Sequence, residues 1–383
     1  MKRWRTALLY ACTAASATMH LWCASDDGRA EVGPDPDAAL ETGAPEDARA
    51  SDADAVPSLP ACSDALCRVS LPGIEDVGLN GLYARSASEV WVVGSKGFAA
   101  RFDGAAWHRV ATGTTAAIFG VAGSSDGTVW GASSGHAFLK LNRPSGGGVE
   151  TVDGGFEGVA NAISASGTEL YAVGLSFTFG GPEDPPADNI WRYGAEPDGG
   201  PAGWRAVSPP CPMGEFGVEC VNLRAVWVES SSRQWFAGDE GKVFHTDTTP
   251  EEPPSDRMRL VETNSSSLRR LNALWGFGAN DIWAVGVQGA IRHWTGGDSW
   301  TVVPSPVTQD LYGVWGSRPD DVWAVGDDGI VLHWNGNAWS VKDVPFAVKN
   351  RPMLLAVAGT DDDVWIAGVG TLLRSTRGAA RDD

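Results

Sequence analysis

The sequence is short of positive charge. Lys and Arg number 29 against 48 Asp and Glu, giving a formal net charge of −19 over 383 residues. Phosphate contacts need a basic face, so the composition argues against a nucleic-acid partner. Cysteine is sparse, with six in all. GxSxG, HExxH, a Walker phosphate loop and an EF-hand loop are all missing. Their absence removes the common signatures of hydrolase, metalloprotease, nucleotide and calcium chemistry, and no cofactor is expected.

A long apolar run is missing as well. The stretch behind Lys2, Arg3 and Arg5 (ALLYACTAASATMHLW) is short and interrupted for a membrane span. Residues 1–23 have the layout of an export signal instead. Three processing sites stay open. Leu9-Tyr10-Ala11-Cys12 has a lipobox-like order but too little apolar length before it. Ala15-Ser16-Ala17 fits ordinary cleavage. Cys23 lies at the right distance and has an acidic tail behind it, and lipidation there is the favoured reading. Residues 24–60 hold ten Asp and Glu against two Arg, no aromatics, and repeated Pro, Ala and Gly. Such a segment cannot bury enough apolar surface to fold, so it is expected to be a tether.

The other four cysteines come as close pairs, Cys62 with Cys67 and Cys211 with Cys220. In an exported chain these are expected to form two local disulfides. A metal site would need further His or Cys ligands nearby, and neither pair has them.

What the chain has in quantity is glycine, 48, and tryptophan, 18. The tryptophans fall in a repeat. One unit is LYGVWGSRPDDVWAVGDDGIVLHWNGNAWSVKDVP, residues 311–345. Its apolar, β-branched and aromatic runs read as four short strands. DDG and Asn335-Gly336 read as tight hairpins. The aromatic of the second strand recurs at Trp91, Trp130, Tyr171, Trp235, Trp283, Trp323 and Trp365, at spacings of 39, 41, 64, 48, 40 and 42 residues. Four antiparallel strands in about 40 residues match one propeller blade, and one blade cannot bury both faces alone. Seven copies therefore predict a single all-β, seven-bladed propeller over residues 61–378, with a short tail at 379–383.

The unit resembles the VWAVG-type repeats of secreted bacterial seven-bladed β-propellers. It is similar to tectonin repeats, and more distantly to WD-repeat and Asp-box propellers. The resemblance covers about residues 66–378. The WD ending is absent. Ser124-Ser125-Asp126-Gly127-Thr128-Val129-Trp130 is one residue short of an Asp-box and sits at the wrong hairpin. The resemblance implies a fold and a binding role, and it transfers no catalytic residue.

The last copy, LLAVAGTDDDVWIAGVGTLLRST, stops after three strands, whereas Cys67-Arg-Val-Ser-Leu-Pro72 reads like a fourth strand. The N-terminal strand is therefore expected to complete the last blade and close the ring. Loops 175–189 and 208–221 should decorate one face, and loop 246–257 the other.

Third strands carry Arg101, Lys140, Arg192, His245, His293, His333 and Arg374 at one register, and Glu89, Glu169, Asp281, Asp321 and Asp363 precede the second-strand aromatics. A pair repeated in blade after blade is expected to be structural, because buried polar groups need partners. Candidate ligand-binding residues are those that break the repeat: Tyr312 and Phe346, with Arg269, Arg270, Lys349 and Arg351 in blade-linking segments. The expected role is a monomeric, non-enzymatic binding or scaffold module at the cell envelope. It would be a lipoprotein held in the outer membrane through Cys23, or secreted, and would meet an envelope glycan or protein. A glycan-acting enzyme on the same fold is the remaining alternative, and would show as acids converging on the central channel.

Overall fold

The structure, a computed structural model, describes residues 65–135, 137–142, 146–156, 158–176, 188–195, 200–209, 213–214, 217–218, 220–246 and 257–376. The expected signal, the Cys23 site, the acidic tether, most of the three long loops and the C-terminal tail lie outside the described residues.

Seven antiparallel four-stranded sheets follow one another along the chain. Blade 6 shows the plan: an inner strand Leu311–Arg318, then Asp321–Gly326, Val331–Trp334 and an outer strand Trp339–Val341. The inner strands of blades 1 to 5 and of blade 7 are Leu79–Ser86, Ile118–Gly123, Gly158–Ser166, Leu223–Val228, Leu271–Gly278 and Leu354–Gly359. Each touches the next, and the last touches the first, so the ring is closed. A small hairpin, Met213–Gly214 with Gly217–Val218, lies in the link between blades 3 and 4.

The closing strand is the N-terminal one. Cys67–Arg68 pairs antiparallel with Thr371–Thr376, Cys67 opposite Arg374 and Arg68 opposite Leu373. Val69 N continues the ladder to Leu372 O at 2.8 Å. Leu66, Val69 and Leu71 are buried around it. Cys67 and Cys220 are both disulfide-bonded; their expected partners, Cys62 and Cys211, lie outside the described residues.

Burial explains the repeat. The seven second-strand aromatics are at most 5% exposed. At four blade interfaces an outer-strand tryptophan meets the second-strand tryptophan of the preceding blade edge to face. These pairs are Trp107 on Trp365, Trp204 on Trp130, Trp300 on Trp235 and Trp339 on Trp283, with interplanar angles of 83°, 85°, 84° and 85°. Rings in that arrangement are attracted beyond the area they bury.

The repeated polar pair is structural in four blades. Glu169 holds Arg192 at 2.8 Å, Asp281 holds His293 at 2.7 Å, Asp321 holds His333 at 2.8 Å and Asp363 holds Arg374 at 2.9 Å. The imidazole or guanidinium also lies over the aromatic, most closely where His293 stacks on Trp283 at 4.0 Å. Blade 1 departs: Glu89 turns back to Arg85 and accepts from Trp91 Nε1, both at 3.2 Å.

Turns set the strand ends. Lys96-Gly97, Glu240-Gly241, Gln288-Gly289 and Asp328-Gly329 take positive φ in succession, as the tight DDG-type hairpin requires. Asn335-Gly336 differs from expectation. Its loop runs over four residues, with Asn335 Oδ1 accepting from Asn337 N and Ala338 N at 3.1 and 3.0 Å. The asparagine side chain builds the turn, and the two-residue hairpin is not formed.

Candidate functional site

Inner strands begin at one face of the ring, here the entry face, where second-to-third turns and blade links also lie. They end at the opposite, exit face. Every inner strand has a bulge at its second or fourth residue near the entry face: Asn80, Phe119, Asn161, Arg224, Asn272, Tyr312 and Leu355. A bulge re-aims its side chain. Three blades use it for an asparagine that donates to the next inner strand: Asn80 to Ile118 O, Asn161 to Leu223 O and Asn272 to Leu311 O, at 3.0, 2.7 and 2.7 Å. Blade 6 uses it for Tyr312.

Tyr312 donates its hydroxyl to Asp327 Oδ2 at 3.1 Å. Burial, then the charge and hydrogen bond of Asp327, push its phenol up to about 12, while Arg270 pulls the other way. Burial also raises Asp327, helped by Asp310 and Asp328 and opposed by Tyr312. Asp310 is tied down by Gln288 N at 2.7 Å. Arg351 lies against the same turn: a Cβ at Gly329 would fall 3.1 Å from Arg351 Cβ. Arg270 Nε and Arg351 Nε are buried without a hydrogen-bond partner.

So Tyr312 is bonded to Asp327, Arg270 lies within electrostatic reach of Tyr312, and Arg351 packs on the turn that carries Asp327 and Asp328. The other three candidates are spread around them. Arg269 is exposed on the preceding link; burial, and after it the charge of Arg269, lowers the proton affinity of Arg292. Lys349 is exposed on a short 3-10 turn, Val348–Asn350. Phe346 is half-buried, with the Arg68 guanidinium 5.3 Å from its ring centre. Neither aromatic is thus a bare platform for a sugar ring.

Sequence reasoning missed the apolar part of this face. Val348 is 79% exposed, Val369 45% and Met353 40%. Val369 N donates to Met353 O at 2.9 Å and Gly329 N to Pro352 O at 2.8 Å, which strings the segment from 348 to 353 between the second-to-third turns of blades 6 and 7. Met353 and Val369 therefore meet at one hydrogen-bonded junction, with Val348, Lys349 and Arg351 on the same link. Only the position of Val348 and Met353 in a linker, outside the repeat, gave a signal; Val369 lies in the second-to-third turn of blade 7.

At the exit face the channel opens into a cavity of ≈280 Å³ lined by all seven inner strands, with Tyr83, Trp227, Trp275 and Trp315 as its aromatic collar. Tyr83 and Trp227 lie over glycines of the neighbouring blade, where a Cβ at Gly123 or Gly276 would fall 2.3 or 2.7 Å from the ring. Among the described residues no group of three or more His, Cys, Asp or Glu is placed to hold a metal ion.

The fold is shared with solved propellers. YCF48 from Cyanidioschyzon merolae superposes with TM-score 0.59 at 17% identity, over 82% of this chain and 99% of that one. A structure of YCF48 bound to D1 peptide gives 0.55 at 18%, over 86% and 99%. Virginiamycin B lyase from Staphylococcus aureus gives 0.60 at 13%, over 81% and 97%. At these identities the likeness establishes the propeller and nothing finer. No family model matches the sequence, and no curated protein matches it.

Proposed function

We propose that the chain is a non-enzymatic binding propeller of the cell envelope that holds a segment of another protein on its entry face. The observation that carries this is the exposed group Val348, Met353 and Val369 beside Lys349 and Arg351. Exposed apolar side chains on one hydrogen-bonded link mark a contact surface. Basic residues there, in a chain of net charge −19, favour a partner segment that is apolar and acidic. The YCF48 structure with D1 peptide and the WD40 propeller of Doa1 have the same fold, and a ligand peptide on the former is consistent with a scaffold role. The charged and apolar N-terminal stretch and the acidic segment behind it support export and a tether, in line with the likeness of the repeats to secreted propellers. Attachment through Cys23 is the form of anchoring we favour.

The test is a photo-crosslinking amino acid placed at Val348 or, as a control, at Val302 on the outer strand of blade 5, in the cells that make the protein. A defined protein adduct from Val348 alone, lost in Lys349→Glu/Arg351→Glu, is expected. Equal labelling from both positions would overturn the reading. The mass of the N-terminal peptide of the exported protein tests the anchor.

A further inference from the structure

Between blades 2 and 3, on the exit-face side, lies a second and larger cavity of ≈660 Å³. Blade 2 departs from the repeat at its wall. Thr128 stands where five other blades have Asp or Glu, and Lys140 stands where blades 4, 5 and 6 have His. In blade 5 the imidazole of His293 lies flat on Trp283, held by Asp281, and Trp334 of blade 6 closes the gap. In blade 2 no acid on the second strand holds the cation. Lys140 reaches Glu150 on the outer strand at 3.2 Å, and the smaller Tyr193 stands at the place of Trp334. The groove that Trp334 closes between blades 5 and 6 is lined here by Tyr193, Lys140 and Arg192.

Its walls combine rings with fixed polar groups. Trp130 and Tyr193 are 4.5 Å apart between ring centres. Lys140 Nζ lies 5.1 Å from one ring centre and 5.8 Å from the other. Arg192 and Glu169 are joined at 2.8 Å. Asp126 accepts from Thr128 N at 2.8 Å and from Ser124 Oγ. Thr168, Gly194 and Ala195 complete the lining. The charges are already balanced: Lys140 by Glu150, Arg192 by Glu169, and Asp126 by its donors and the field of Arg85. A charged ligand would have to break one of these pairs and leave a partner uncompensated, which is costly. Hydroxyl groups, each donor and acceptor at once, can bond to these groups without separating them. A ring with an apolar face can lie against the aromatics, and the volume falls in the range of small-ligand sites.

We propose that this cavity binds a neutral sugar, one or two rings in size, with Tyr193 as the stacking surface and Glu169, Arg192 and Thr168 as its hydroxyl partners. The site is separate from the entry face, so it stands or falls independently of the protein-binding role.

Neutral mono- and disaccharides and their uronate counterparts would be titrated calorimetrically into the full exported chain. At least one neutral sugar is expected to bind saturably, more tightly than its uronate. Tyr193→Ala should weaken it at least about tenfold, the loss of a stacking contact, and Val302→Ser, on the exposed outer strand of blade 5, should leave it unchanged. Should Tyr193→Ala fail to fold, Thr168→Trp, at an exposed turn position, fills the cavity without touching the core and should abolish binding. Glu169→Gln, which strips Arg192 of its partner, should move preference toward the uronate by about tenfold. The proposal is overturned if no neutral sugar binds up to about 10 mM, if Thr168→Trp binds as well as the wild type, or if uronates bind the wild type more tightly.

Discussion

Cys67 lies opposite Arg374 in one antiparallel ladder, although the two residues stand near opposite ends of the propeller sequence. Arg374 is itself held by Asp363, at 2.9 and 3.0 Å, and lies over Trp365. The closing strand is thus laid against a strand that Asp363 ties to its neighbour through Arg374.

Truncation isolates that strand. Removing residues 1–61 should leave the melting temperature unchanged. Removing residues 1–73 takes away Leu66, Val69 and Leu71, each buried, and exposes a bare strand edge. Burying such side chains contributes roughly 1.5–3 kcal/mol each. Calorimetry should therefore show a clear drop in Tm, or aggregation; identical melting of the two truncations would refute closure by this strand.

Tryptophans of the second strands are core residues. Trp323 is 5% exposed, carries His333 on its face and donates to Asp321 at 3.2 Å. Trp323→Ala is expected to cost about 3–5 kcal/mol in guanidinium unfolding. A cost near zero would place it on a ligand surface instead.

Oxidation is checked by mass mapping. Cys67 and Cys220 are disulfide-bonded, and digestion of the unreduced protein is expected to yield Cys62–Cys67 and Cys211–Cys220 peptides. Crossed pairs would contradict the local-loop reading.

Alkaline titration tests the Tyr312 site. Its phenol is raised from 10.0 to about 12 in the fold, burial being the largest cause. A raised value means that its contribution to stability is fully present below pH 10 and is lost as the pH rises through about 12. Tm measured across that window should fall less steeply in Tyr312→Phe than in the wild type. Asp126 has the opposite sign. Burial acts to raise it but is outweighed by the donors Ser124 and Thr128 and by Arg85, so its value is lowered below 3.8. Its stabilisation is present above pH 3.8 and fades on acidification through the lowered value, and Asp126→Asn should flatten that acid limb.

Much of the ring was legible in the residues. Each second strand reads as an apolar run around one aromatic, and a sheet buried on both faces demands that composition wherever the strand lies in the ring. The stop after LLRST and the strand-like Cys67-Arg68 pointed to closure for the same reason, since an unpaired inner-blade edge is costly. The site was legible only as a departure from the repeat. Tyr312 could be singled out because other blades lack it, but its bond to Asp327 depends on a bulge, and a bulge is a property of strand register that no residue type announces.

By itself the sequence determined seven four-stranded units, which second-strand side chains are buried, and where the chain ends meet, because each follows from a local pattern repeated in register. Tertiary structure decided the rest. Which linker side chains stand in water depends on how two turns hold residues 348–353 between blades. Whether the space between two blades is filled or open depends on ring size and charge pairing across residues distant in sequence, Trp130 with Tyr193 and Lys140 with Glu150. Packing between blades is a pairwise property, and a single strand's composition contains only one side of it.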